Sequence, residues 1–229
     1  MSWFLRLTRF GSAHMVRSQD QSNRLAMASV IMINFKMKKG AMFAGMAAGS
    51  SLSVSGIPFG SYIGQTLSQA AINYAVKSEA EVIKLYEKVK GASHDFEKNG
   101  AKPTFLPPIM SDLGLGQWET VNVGEAGLAQ AVIDATKDGT PVLLACVWDG
   151  GGGHALVVDQ VHTFMGKTYF CVCDPWDAEL RIISATPGST VRYDGSDKPV
   201  SVSFGGDRRE YPAGNNKGKF DGRIVRKKS

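Results

Sequence analysis

The chain has few cysteines, few acids near its ends and no long apolar run. Three cysteines, Cys146, Cys171 and Cys173, are too few for a disulfide framework and leave one unpaired. Cys171 and Cys173 are separated by one residue inside an apolar run, so on a strand they share a face and do not form a zinc CxxC. Such usage fits a protein kept reduced. No clean run of about twenty apolar residues exists, so no membrane span is expected. Gly40 to Val76 carries no charge at all, but Gly, Ser and Pro interrupt it throughout, as in GSSLSVSGIPFGS. It reads as a packed loop leading into a helix. Walker, Rossmann, HExxH and repeat patterns are also missing, and no cofactor or metal site is expected.

The 229 residues, 43% apolar and 21% charged, suffice for one sizeable core with at most a small annex. The net charge of +5 is uneven: residues 1–40 carry +6, residues 207–229 carry +5, and the middle carries −6. Basicity confined to the ends, without an RNA-binding signature or a basic–aromatic stripe, reads as solvated tails and not as a nucleic-acid surface.

Residues 1–15 read as an appendage or cloning-derived segment, because GSAHM looks like a cloning junction; His14 is then no ligand. The remainder, 16–229, reads as one domain, with a helical lobe over about 16–138 and a sheet lobe over about 139–229. Ser22 or Asn23 can cap a helix through LAMASVIMINFKM, apolar on nearly every side and therefore buried, with Gly40 as its stop. A long amphipathic helix is expected over Tyr62 to Lys90, a break at AKPTFLPPI, and a shorter helix over about Glu125 to Lys137. After Gly139 the period becomes that of strands: PVLLACVW, HALVVDQVHTF, KTYFCVCD and ELRIIS, with VSVSF and GRIVR as later candidates. Helices first and a largely antiparallel sheet second make an α+β fold.

One long-range constellation bears chemistry. His154 opens an apolar strand directly after a glycine run, and Asp174 ends the next strand, twenty residues on. If Met165-Gly166-Lys167 closes a hairpin, carboxylate and imidazole meet across neighbouring strands, which fixes the ring's tautomer and stabilises its charged form. The glycines, Gly152 and Gly153 among them, would turn the backbone and leave room for a substrate chain. The alternative is a structural histidine at a strand start and an aspartate that caps a turn before Pro175.

The segment QDQSNRLAMASVIMINFKMKKG, with Gly153-His154-Ala155 and Asp174-Pro175, resembles papain-like cysteine peptidases, in particular the YopT/AvrPphB-type bacterial effector proteases. There a cysteine opens a buried helix, whose dipole and free N–H groups favour the thiolate. The resemblance covers residues 19–40 and 139–180. Counted from position 26, the histidine is 128 residues on and the aspartate 148, near the roughly 130–150 residues of papain-type enzymes. It implies a papain-like fold and a triad of a nucleophile at position 26, His154 and Asp174, with Gln21, or else Gln19, donating to the oxyanion.

The departure is that no cysteine stands in this helix: its expected position holds Ala26, or less well Leu25. A Cys→Ala substitution of an active parent, a natural pseudoenzyme, and Ser22 as nucleophile are the three explanations. Trp148 and Trp176 flank the site in sequence and either wall a substrate cleft or pack. The resemblance further implies a protein substrate, secretion by a bacterium with action in a target cell's cytosol, and an immunity protein or secretion partner. A papain-fold deamidase, transglutaminase or amidase, and a non-catalytic peptide-binding pseudoprotease, are the rival readings.

Overall fold

Helices dominate the first half of the chain and strands the second. The structure is a computed structural model that describes residues 2–19, 25–197, 202–203 and 216–228. Its first half holds β1 (Trp3–Leu7), β2 (Ala13–Arg17), α1 (Leu25–Val54), α2 (Gly60–Ala75) and α3 (Glu79–Lys90). The short α4 (Phe96–Asn99), α5 (Leu106–Asp112) and β3 (Trp118–Asn122) follow, then α6 (Gly124–Thr136). The second half holds β4 (Val142–Trp148), β5 (Gly153–Phe164), β6 (Lys167–Asp174), β7 (Glu179–Ser184), β8 (Arg192–Asp194), β9 (Val202–Ser203) and β10 (Lys217–Lys227).

The main sheet runs β3-β10-β4-β5-β6-β7 with β8 beside β10, and all its pairings are antiparallel. Alternation along the strands sorts the two faces. Leu143, Val157, Cys171 and Cys173 pack with Met27 and Ile31 of α1, while Leu144, Leu156, Val158 and Phe170 pack with Leu128 and Val132 of α6. The two cysteines do share a face. Helices cover both faces of the sheet, and β3, from before the expected lobe boundary at 138, pairs with β10.

Three expectations need correction. Gly40 does not stop α1, which runs on to Val54. A glycine costs a helix only about 1 kcal/mol, and α2 packs along the continuation: Gly49 and Gly64 let the two backbones touch, and a Cβ on Gly45 would come within 2.6 Å of the Ala71 Cβ. The charge-free stretch is thus a helical hairpin and not a packed loop. The expected helix over 62–90 is two helices. Asn34 Nδ2 donates to the Ala75 carbonyl at 2.7 Å, and Ser78 opens α3 with a capping box to Glu81.

From Trp3 on, the segment expected as an appendage (1–15) is folded against the rest of the described residues. β1 and β2 form a hairpin closed through Thr8–Ser12, and the Trp3 ring lies 4.7 Å from that of Phe35. The buried Arg6 donates to the Ala178 carbonyl at 2.9 Å and pairs with Glu179 at 3.1 Å. His14, only 2% exposed, places Nδ1 2.8 Å from Asp159. Asp159 is the extra residue of a β-bulge between Val158 and Gln160, and Lys36 of α1 pairs with it as well. All these partners lie far along the chain, so no local pattern announces them.

Candidate active site

The hairpin delivers the chain to the site. Beyond β2, Gln19 is buried and its backbone N–H donates to the Pro175 carbonyl at 2.8 Å. Its side-chain amide meets no hydrogen-bond partner among the described residues. Gln21 and the cap candidates Ser22 and Asn23 lie outside the described residues. The helix α1 then starts at Leu25. The first N–H groups of a helix lack intrahelical acceptors, and here that end reaches a cleft.

This cleft, about 260 Å³, is lined by Leu25 and Ala26 from α1, by Gly153, His154 and Ala155 from β5, and by the Asn99–Ala101 turn, with Arg223 of β10 at its edge. Ala26, or its neighbour Leu25, and His154 therefore share one cavity. The turn before His154 needs glycine for its backbone: Gly151 and Gly152 have φ of 91° and 86°. Space is not the reason, because Cβ atoms on Gly152 and Gly153 would meet only ordinary contacts.

His154 and Asp174 are joined across β5 and β6, His154 Nε2 lying 2.8 Å from Asp174 Oδ1 with both side chains buried. The Asp174 carboxylate is held on every side. Oδ1 also accepts the Trp176 N–H at 2.8 Å, and Oδ2 accepts from the Tyr193 hydroxyl and, at 3.3 Å, from Arg181. Burial works to raise this carboxyl; His154, then Arg181 and Tyr193, outweigh it and hold Asp174 well below the usual carboxylate range. Asp177 shares the same guanidinium, with its Oδ2 2.6 Å from Arg181. Burial and the Asp174 charge push Asp177 up to about 6 despite that arginine.

The aromatic residues divide. Trp148 stacks on the His154 ring, centroids 5.2 Å apart and 21° between planes, and Tyr193 stands 6.2 Å from that ring. Trp148 thus supports the imidazole from behind and does not line the cleft; neither Gly152 nor the half-buried Trp176 lines it. Arg181, Asp177 and Tyr193 escaped the sequence reading. The only local signal was Asp177 next to the expected turn, because Arg181 and Tyr193 arrive on later strands. His162 packs on Phe10, away from the cleft.

The cysteines are not poised to attack. Cys146 borders the cleft, but burial and then the Asp174 charge push its thiol up to about 12. Burial, with Asp159, does the same to Cys171 and raises Cys173 well above the ordinary value. Ligand atoms of His14, Asp159 and Cys173 lie within 4.8 Å of one another, a spacing that could hold a metal ion. The Lys36 ammonium, paired with Asp159, already supplies a cation there. No helix among the described residues is long and apolar enough to cross a membrane.

No family model matches this sequence. A search of curated proteins also finds no match. Among solved structures, the chain is similar to the Pseudomonas avirulence protein AvrPphB, at 18% identity and a TM-score of 0.25, over 66% of this chain and 78% of that one. At that level the likeness assigns no role to any residue, and what the site can do follows from its own geometry: a buried imidazole–carboxylate pair, and a helix start in the same cleft.

Proposed function

We propose that this chain is a papain-like cysteine endopeptidase whose nucleophile position is occupied by Ala26, so that the sequence as it stands is inactive. The observation that carries the reading is the buried His154–Asp174 pair opening on one cleft with the first residues of α1. With cysteine at position 26, the helix start and the imidazole favour thiolate over thiol. The thiolate adds to a peptide carbonyl carbon, and the oxyanion is met by a helix N–H with Gln21 or Gln19. His154, held by Asp174 through Nε2, gives a proton to the leaving amine. It then takes one from the water that hydrolyses the thioester. The substrate is a protein, and the biological setting proposed is that of a secreted bacterial effector acting inside a target cell, with an immunity or secretion partner.

Incubating the Ala26→Cys protein with candidate proteins and reading product masses tests this. New peptide termini that vanish in Ala26→Cys/His154→Ala support it. A gain of about one dalton without cleavage would mean deamidation instead. The alanine itself favours a second reading, a peptide-binding pseudoprotease; the absence of any His154-dependent chemistry in Ala26→Cys would favour it.

A further inference from the structure

The helical hairpin from Gly40 to Val76 takes no part in the chemistry above. Beyond Lys39, α1 leaves the core, and α2 returns from Gly60 to Ala75. At about 1.5 Å per residue each arm is some 23 Å long. Large apolar side chains project from it: Val54 is 85% and Phe59 81% exposed, and Phe43, Ile57, Tyr62 and Tyr74 are exposed too, among uncharged polar side chains such as Ser50, Ser61, Gln65 and Gln69. No Asp, Glu, Lys or Arg occurs between Lys39 and Lys77.

Four of its hydroxyls are satisfied from within. Ser51 donates to the Ala47 carbonyl at 3.0 Å, Ser53 to Gly49 at 2.9 Å, Ser55 to Leu52 at 2.7 Å and Thr66 to Tyr62 at 2.9 Å. Gln69 and Asn73 bond each other at 2.9 Å. Each such bond lowers the cost of carrying that group into a medium poor in water. Charge gathers at one end only. Lys38, Lys77 and Lys84 border a pocket there with Glu81 and Asp112, and the Lys38 ammonium sits 4.1 Å over the Tyr74 ring. Lys38 itself is buried and donates to the Leu113 carbonyl at 2.6 Å, whereas Lys39 beside it is exposed.

A protein partner is expected to meet a polar rim around its apolar patch. Here apolar exposure spans both helices and the tip, no charge lies along the arm, and the cations and Tyr74 collect at its base. That is the order of a lipid leaflet followed by anionic headgroups. The arm is longer than the apolar layer of one leaflet, about 15 Å, and shorter than the full core of about 30 Å. We propose that the hairpin docks the protein on an anionic bilayer, its tip entering from one side without crossing. This does not depend on the enzyme reading.

The test is flotation of the full chain with phosphatidylcholine vesicles containing phosphatidylglycerol at about 30%, and with phosphatidylcholine vesicles alone. The chain floats with the anionic vesicles and much less with the neutral ones. Ile57→Asp/Phe59→Asp lowers the floating fraction about tenfold or more. Both positions lie in the exposed turn, and Phe59, at φ 63°, has a left-handed backbone that aspartate tolerates, so the circular dichroism melt stays unchanged. No flotation of the chain, equal flotation with both vesicles, or undiminished flotation of the double variant overturns the proposal. So does a dimer that the same variant dissociates while neither protein floats, since the occupant would then be a second copy.

Discussion

Arg181→Met removes the cation that two buried carboxylates share. In the folded protein Arg181 reaches Asp174 at 3.3 Å and Asp177 at 2.6 Å, and all three side chains are nearly excluded from water. Methionine roughly conserves the volume and leaves the negative charges facing each other. Breaking a buried pair by removing one partner costs about 3–5 kcal/mol, a large part of a total stability of about 5–15 kcal/mol. The cost depends on pH with a definite sign. Asp177 already titrates near 6, and without the guanidinium its carboxyl rises further. A raised acid is most favourable in its protonated form, so its contribution is present at low pH and lost as pH rises through the folded value. The destabilisation measured by urea unfolding is therefore about 3–5 kcal/mol at pH 8 and smaller at pH 5.5. A loss below about 1 kcal/mol at pH 8, or one that grows toward pH 5.5, would refute this account of the cluster.

Asp159→Asn weakens both the His14 and Lys36 contacts, so hydrogen exchange of the β2 amides speeds up while β10 amides, remote from that pair, keep their protection. Burial raises Asp159, but Lys36 and His14 hold it well below the carboxylate range. Its stabilisation is therefore present above about pH 3.9 and lost as pH falls further, and the acid unfolding curve of the same variant is flatter. Ser78→Ala deletes the capping box of α3 and lowers stability by about 1 kcal/mol in a thermal melt. Gly64→Val drives a side chain into the Gly49 carbonyl of the facing helix; it destabilises by about 1–3 kcal/mol, and proteolysis opens the α1–α2 hairpin first.

Strand periodicity was legible wherever both faces of the sheet are buried, as in β4 to β7, and α6 was legible as a short helix ending before the Asp138-Gly139 break. The His154–Asp174 contact was legible because a short link between two patterned strands fixes which ends meet. Breaks were read less well. Gly40 resembles a stop on intrinsic propensity alone, whereas the helix continues because α2 packs along it through Gly49 and Gly64, a tertiary contact. The Ser78–Glu81 capping box was present in the sequence and was hidden by a periodicity that runs through it. Arg6 and His14 are buried beside Ala178, Glu179 and Asp159, contacts across most of the chain. Arg181 reaches Asp174 from the neighbouring strand, where Glu179 lies opposite Asp174 and Arg181 follows two residues on along the same face. Tyr193 comes from a third strand, β8, where it pairs with Gly218 of β10.

The seat of a nucleophile at position 26 is tested most directly by the pH dependence of iodoacetamide alkylation in Ala26→Cys. The three native thiols are buried and stay silent. The account predicts a single reactive cysteine with its inflection below about pH 7, returning to about 8.5 when His154→Ala is added. An unreactive cysteine, or an inflection near 8.5 with and without His154, would contradict it.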